Sequence, residues 1–135
     1  MKTELFYLLL TSILTGVLWI PVVIGYIVVR GLPASAHYAI APTSALPDWV
    51  NRANRAHLNA VETFAPFAAV VLIAHVIGAS NGTTAACAAI YFYARLAHAV
   101  IHLSGTGLLK ARTLAFTVAW LAFMVLAWVV LQRAL

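Results

Sequence analysis

The chain has 135 residues, the length of a single domain, and 64% of them are hydrophobic, whereas soluble domains average about half. This fraction and the mean hydropathy of +1.00 exclude a soluble globular fold and predict an integral membrane protein. Eight lysines and arginines against three acidic residues give a net charge of +5, but no basic run is present, so nucleic-acid binding is not expected.

Four apolar segments follow one another along the chain, and each is about as long as the roughly 20 residues that cross a bilayer as a helix. They predict an all-α, four-helix transmembrane bundle that forms one domain over residues 1–135. Pro21 should kink the first helix, because proline removes one backbone hydrogen bond. The predicted helices span residues 4–29, 46–77, 83–103 and 109–131.

The longest connection, residues 30–47, joins the first two helices, and its glycine and prolines interrupt the helical periodicity. We expect it to form a lid or a wall beside a binding site. Ser44 or Asp48 is expected to cap the second helix, since either side chain can accept from the first backbone N–H groups. His37 in this connection and His75 stand alone and are interpreted as interfacial residues.

The loop cations predict the orientation in the membrane. Lys2 and Arg133 lie on one side, whereas five cations lie on the side of the first and third loops, which the positive-inside rule assigns to the cytoplasm. Both termini are therefore expected on the non-cytoplasmic side, and the compact loops favour a bacterial inner membrane. The five cations are Arg30, Arg52, Arg55, Lys110 and Arg112.

Two polar stripes run along otherwise apolar helices. In the second helix, Arg55, Asn59 and Glu62 follow the i, i+4, i+7 spacing of one helical face. Ionisable groups in a membrane segment usually face a bundle interior or a water-filled site. We expect Glu62 to pair with Arg95, either only to lock two helices together or also to contact a ligand. The stripe of the third helix is Tyr91, Arg95, His98 and His102.

The arginines expected at this depth outnumber the one glutamate. Their surplus positive charge suits an anionic ligand with carboxylates, which a guanidinium binds through two parallel hydrogen bonds. His98 and His102 share a face at a spacing that can bind zinc, but no carboxylate or cysteine completes the usual site, so no metal is predicted. The converging arginines are Arg30, Arg55, Arg95 and Arg112.

The segment RAHLNAVET at residues 55–63, followed by PF at 66–67, resembles the signature of the MAPEG family, the membrane-associated proteins in eicosanoid and glutathione metabolism. RLAH at 95–98 and RTLAF at 112–116 are similar to the third helix of that family and the start of its fourth. The resemblance implies a homotrimer of four-helix subunits, with glutathione bound between subunits near the cytoplasmic face. It also implies a lipophilic small-molecule substrate that enters from the membrane lipid.

Matched residue by residue, the family motif implies roles for nine positions. Arg112 corresponds to an arginine that stabilises the glutathione thiolate and is the implied catalytic residue. Arg30 corresponds to an arginine that binds a glutathione carboxylate. The implied glutathione-binding residues are Arg30, Arg55, His57, Asn59, Glu62, Arg95, His98 and His102.

Two positions depart from the pattern of the eicosanoid-type members, which carry tyrosines where this chain has His102 and Phe116. The departures argue against eicosanoid-type chemistry and leave two hypotheses open. The first is a membrane-bound glutathione transferase or peroxidase that acts on lipophilic electrophiles. The alternative is a non-catalytic protein of the MAPEG fold that binds a lipid or a protein partner. A proton or ion pathway is disfavoured, because the far halves of the later helices are almost wholly apolar.

Overall fold

Four helical spans make up the part of the chain that the computed structural model describes, residues 2–32, 34 and 45–135. The first span contains two helices, and each later span is one helix. All four spans are long and apolar enough to cross a bilayer, which confirms the prediction of an all-helical, multi-pass membrane protein. The helices are α1 (Thr3–Val17), α2 (Trp19–Arg30), α3 (Asp48–Val76), α4 (Gly82–Ser104) and α5 (Leu109–Ala134).

The first span breaks at Leu18, three residues before the proline that was expected to kink it. Pro21 has no N–H to donate to the carbonyl of Val17, and its ring crowds that carbonyl. The interruption therefore lies one turn before the proline rather than at it. In α3, by contrast, Pro66 does not interrupt the helix.

The core lies where α1, α3, α4 and α5 pack together. Phe67 of α3 is fully buried and stacks on Tyr91 of α4, with ring centroids 3.8 Å apart. The Tyr91 hydroxyl donates to the carbonyl of Thr63 at 2.9 Å, so the buried phenol has a hydrogen-bond partner. Helices α2 and α3 approach closely at Gly25, where a Cβ atom would lie 2.5 Å from a methyl group of Val50.

The observed helix caps differ from the expected ones. Asp48 is the first residue of α3, and the N-cap position holds Pro47, whose side chain makes no capping hydrogen bond. Ser44 lies outside the described residues. A capping box that the sequence analysis did not predict begins α4: the Asn81 side chain accepts from the backbone N–H of Thr84, and the Thr84 hydroxyl accepts from that of Asn81.

Most of the connection expected to act as a lid, including His37, lies outside the described residues. The part that the structure describes resumes at residue 45. There the side-chain amide of Asn51 donates to the carbonyl of Leu46 at 3.0 Å, which ties the end of the connection to the first turn of α3.

Candidate functional site

A polar cleft opens at one end of the bundle, between α3, α4 and α5. This end, which we call the polar end, holds the starts of α3 and α5 and the ends of α2 and α4. Three adjoining cavities form the cleft: an outer cavity of about 640 Å³, a middle cavity of about 540 Å³ and an inner cavity of about 200 Å³. The outer and middle cavities share Arg55, His102 and Arg112, whereas the middle and inner cavities share Glu62 and Phe116.

The outer cavity is the mouth of the cleft, and Arg52 of α3 forms part of its wall. The Arg52 guanidinium packs on Gly105 in the α4–α5 loop, where a Cβ atom would lie 2.7 Å from Arg52 Cζ. Gly105 has a φ of 66°, a left-handed conformation that glycine adopts without the strain a side chain would add. Arg52 Nε is buried against this loop and makes no hydrogen bond.

The middle cavity collects most of the predicted site residues. Arg55 of α3 and Arg112 of α5 face it from two sides. His98 and His102 of α4 also line it, with ring centroids 5.7 Å apart, and Nδ1 of His102 is buried without a hydrogen-bond partner. The two guanidinium groups meet one carboxylate, that of Glu62. The cavity therefore carries a surplus of positive charge and suits an anionic ligand.

Arg95 does not form the ion pair with Glu62 that the sequence predicted. Its Nη2 atom donates to the side-chain oxygen of Asn59 at 2.8 Å and to the Asn59 carbonyl at 3.0 Å. Among the described residues, no ion pair joins Arg95 to Glu62, whose side chain is exposed on the surface of the single subunit. The rotation of α3 explains the difference, because residues three positions apart on a helix are turned by about 60° from one another. Asn59 meets the Arg95 guanidinium, whereas Glu62, further round α3, lines the middle and inner cavities without pairing with it.

The inner cavity has mostly apolar walls. Phe116, Trp120 and Phe123 of α5 line it at i, i+4, i+7 spacing. Arg95 is only 4% exposed and supplies a polar part of the wall, with its Cζ atom 5.7 Å from the centroid of the Phe116 ring. The sequence analysis did not predict this cavity, because a tryptophan on a membrane helix usually marks a lipid-facing or interfacial anchor. The available signal was the aromatic spacing along α5.

Two of the predicted binding residues, Arg30 and His57, do not line these cavities of their own subunit. Arg30 ends α2, and its Cζ atom lies 5.0 Å from the ring centroid of Tyr26. His57 is two residues from Asn59, and a helix turns by about 200° over two residues, so the two side chains face different flanks of α3. The other predicted residues line the cleft: Arg55, Asn59, Glu62, Arg95, His98, His102 and Arg112.

Metal ligands do not cluster in the part of the chain that the structure describes, where no three His, Cys, Asp or Glu side chains lie close enough to share an ion. His98 and His102 are therefore not joined by a third ligand of these types among the described residues. The polar groups that line the cleft are mainly guanidinium and imidazole groups, side-chain amides, and the carboxylates of Glu62 and Asp48.

One protein-family model covers nearly the whole bundle. A family model described as MAPEG family matches residues 6–132, which include every residue that lines the cleft. The comparison with curated proteins finds no match.

Proposed function

Because the chain belongs to the MAPEG family, we propose that it is a membrane-bound glutathione transferase or peroxidase that acts on lipophilic electrophiles. One observation carries the proposal: the middle cavity places Arg55, Arg112 and two histidines around one space, with Glu62 at its wall. Glutathione carries two carboxylates, which arginines bind in a two-pronged geometry, and one ammonium group, which can donate a hydrogen bond to the carboxylate of Glu62. The cleft therefore offers partners to each charged group of glutathione.

Arg112 is the proposed catalytic residue. It lies in the first turn of α5, where the helix dipole adds positive potential to the charge of the guanidinium. A free thiol has a pKa of about 8.5 and is mostly protonated at neutral pH, whereas a nearby cation lowers that pKa and favours the thiolate. The thiolate sulfur then forms a bond to the electrophilic carbon of the substrate, and the leaving group departs with the bonding electrons.

A hydroperoxide would react at the same sulfur. The thiolate attacks the terminal oxygen, the O–O bond breaks, and the released alkoxide takes a proton to become an alcohol. A second glutathione reduces the resulting sulfenic acid, which yields glutathione disulfide and water. Both reactions need the same thiolate, so a single site serves the transferase and the peroxidase chemistry.

We also propose that the glutathione site lies between the subunits of a homotrimer. Glu62 is exposed on an apolar membrane helix of the single subunit, and a carboxylate facing lipid is costly unless another subunit or water covers it. A role for Arg30 and His57 in glutathione binding requires that they face the cleft of a neighbouring subunit. Native mass spectrometry in mild detergent should detect trimers, and a purely monomeric spectrum would count against this arrangement.

The proposed orientation places the polar end at the cytoplasmic face of a bacterial inner membrane, with both termini on the other side. It rests on the distribution of the loop cations under the positive-inside rule. A reporter enzyme that functions only outside the cytoplasm should be active when it is fused after Leu135. If only a reporter that functions in the cytoplasm is active at this position, the assignment is reversed.

One observation favours the alternative, a non-catalytic protein that binds a lipid or a protein partner. Phe116 faces both the middle and the inner cavity, and its ring has no hydroxyl to hydrogen-bond a thiol or a substrate. Under this alternative the fold and the cleft are retained but the chemical step is absent.

Two measurements on the purified protein separate the hypotheses. Calorimetry reports whether glutathione binds, and a turnover assay with glutathione and a generic aryl halide or lipid hydroperoxide reports whether it reacts. Lys110→Ala is the control for variants that remove an arginine from the cleft. Lys110 is also a cation at the polar end, but it is exposed and does not line the cavities of the cleft. Glutathione binding with turnover supports the enzyme, whereas the absence of glutathione binding contradicts a glutathione site and supports the alternative.

A further inference from the structure

An apolar groove, which we call the lateral groove, runs along the outside of the bundle between α4 and α5. It has a volume of about 530 Å³, and the residues that line it are aliphatic apart from Tyr93. Its floor includes partly buried alanines such as Ala94 and Ala115, whereas Ile90 and Leu114 are exposed beside them. Both helices are long and apolar enough to span a bilayer, so an acyl chain that fills the groove gains dispersion contacts on several sides.

The lateral groove extends over one half of the membrane. Along α4 its lining runs from Ile101, near the polar end, back to Ala89. At 1.5 Å per residue these two positions are about 18 Å apart. One leaflet contributes about 15 Å to a hydrocarbon core of about 30 Å. The groove therefore has the length of an acyl chain in the leaflet at the polar end.

A cation lies at the polar end of the lateral groove. Lys110 is exposed in the first turn of α5, one helical turn before Leu114, which lines the groove. Helix side chains tilt toward the start of the helix, so the Lys110 ammonium extends beyond Leu114 toward the membrane surface. Among the described residues that line the groove, none is charged. The chemistry therefore changes from apolar to cationic along the groove, as it changes from acyl chain to phosphate along an anionic lipid.

The lateral groove lies away from the surface that is proposed to meet another subunit. That surface carries Glu62 on α3, and no residue of α3 lines the groove. Of the described residues that line the groove, Ile101 alone also lines the cleft, so the two lie on different flanks of α4 and α5. In the proposed trimer the groove is therefore left to lipid rather than to a second copy of the chain.

We propose that the lateral groove binds an anionic phospholipid of the leaflet at the polar end. One acyl chain lies along the alanines of α4 and α5, and the head-group phosphate accepts a hydrogen bond from the Lys110 ammonium. The bound lipid joins α4 to α5 near the loop between them. This site is separate from the cleft and does not rest on the proposed glutathione chemistry.

The head-group contact is tested with two lipids that share their acyl chains but differ in net charge. The probes are palmitoyl-oleoyl phosphatidylglycerol and the phosphatidylcholine with the same chains. Native mass spectrometry of the intact protein in mild detergent, titrated with each lipid, should show the phosphatidylglycerol bound about fivefold more tightly, as expected for one cation near the membrane surface. Lys110→Gln should at least halve that ratio, whereas Lys2→Gln, which removes an exposed cation at the opposite end, should leave it unchanged. Equal affinity of the wild-type protein for the two lipids, or an unchanged ratio in Lys110→Gln, would overturn the proposal.

A second pair of variants tests the location. Ala97 is exposed and lines the groove, so Ala97→Phe fills the space of the chain. It should weaken both lipids at least about fivefold, because several methylene groups lose their contacts. Ala86→Phe is the matched control, since Ala86 is exposed on the same face of α4, about three helical turns nearer its start, and does not line the groove.

Three outcomes of this second test would overturn the location. Lipid binding is unchanged in Ala97→Phe, or both variants weaken it equally, or Ala97→Phe lowers subunit assembly while lipid remains bound. In the last case a second copy of the chain, rather than lipid, occupies the groove. If Ala97→Phe does not fold, the exposed Lys110→Gln decides the question.

Discussion

The two ends of the bundle differ in whether their buried polar groups have hydrogen-bond partners. At the end that holds the starts of α1 and α4, Glu4 is 4% exposed and accepts a hydrogen bond from the fully buried hydroxyl of Thr84. The Asn81 side chain accepts from two backbone N–H groups in the same place. At the polar end and along the cleft, by contrast, Arg52 Nε, Arg95 Nη1 and His102 Nδ1 are buried without partners.

This difference separates buried polar groups that are paired within the subunit from buried polar groups that are not. Each glutamate illustrates one case: Glu4 is buried and paired, whereas Glu62 is exposed on the single subunit and lines two cavities. An unsatisfied buried polar atom costs on the order of 1–3 kcal/mol, so the polar end is less well satisfied within the single subunit than the opposite end. Substitutions at the two ends should therefore affect different measurements.

The largest effect is expected for Arg112→Ala. Loss of one preorganised contact to a developing charge commonly lowers a rate by about 10²–10³. The variant should lose the chemical step and the absorbance of bound glutathione thiolate while it retains most of its affinity for glutathione. Stopped-flow spectroscopy and calorimetry measure the two properties separately.

Arg55→Ala is the matched comparison within the same cavity. It should mainly weaken glutathione binding, because the group it holds does not change charge during the reaction. The two variants should therefore separate on rate and affinity. A wild-type rate and a surviving thiolate absorbance in Arg112→Ala would refute the role of Arg112 and make His102, which lines the same cavity, the next residue to examine.

A smaller effect, on stability alone, is expected at the opposite end. Thr84→Val removes the hydroxyl that joins α4 to Glu4 and should lower the free energy of unfolding by about 1–3 kcal/mol. Thr83→Val is the control, because the neighbouring Thr83 is exposed and should change stability by less than about 0.5 kcal/mol. Detergent-induced unfolding measures both. A loss of glutathione affinity in Thr84→Val comparable to that in Arg55→Ala would break the distinction between the two ends.

The helices were predictable because their signal is local. Each span is a long apolar run, and the observed bounds differ from the predicted ones by three residues at most. The break at Leu18 and the capping box at Asn81 were not predicted. The sequence contains both signals: a proline lies four residues after Val17, and Thr84 lies three residues after Asn81. The carbonyl that the proline leaves unpaired decides where the helix breaks, and the geometry of the N-cap residue decides where the capping box forms.

The members of the site were partly predictable, but their pairing was not. Residue spacing places Asn59 and Glu62 on one stripe, yet the rotation of α3 about its axis decides which of them meets Arg95. That rotation is set by packing over the whole length of the helix, for example by Phe67 against Tyr91. The inner cavity was not predictable for the same reason, because it depends on the relative rotation of three helices.

The smallest expected effect concerns the mouth of the cleft. Gly105 and Gly107 both have positive φ angles in the same loop, but a Cβ atom would meet the Arg52 guanidinium only at Gly105, since nothing lies within 4 Å at Gly107. Alanine at either position should cost roughly 1–2 kcal/mol of stability through backbone strain. Gly105→Ala should in addition displace Arg52 and weaken glutathione binding by about two- to fivefold, as expected for one partly exposed charge contact. Calorimetry on the two variants isolates that contribution, because the strain is common to both. Equal glutathione affinities would show that Arg52 takes no part in binding and that its contact with Gly105 only holds the loop.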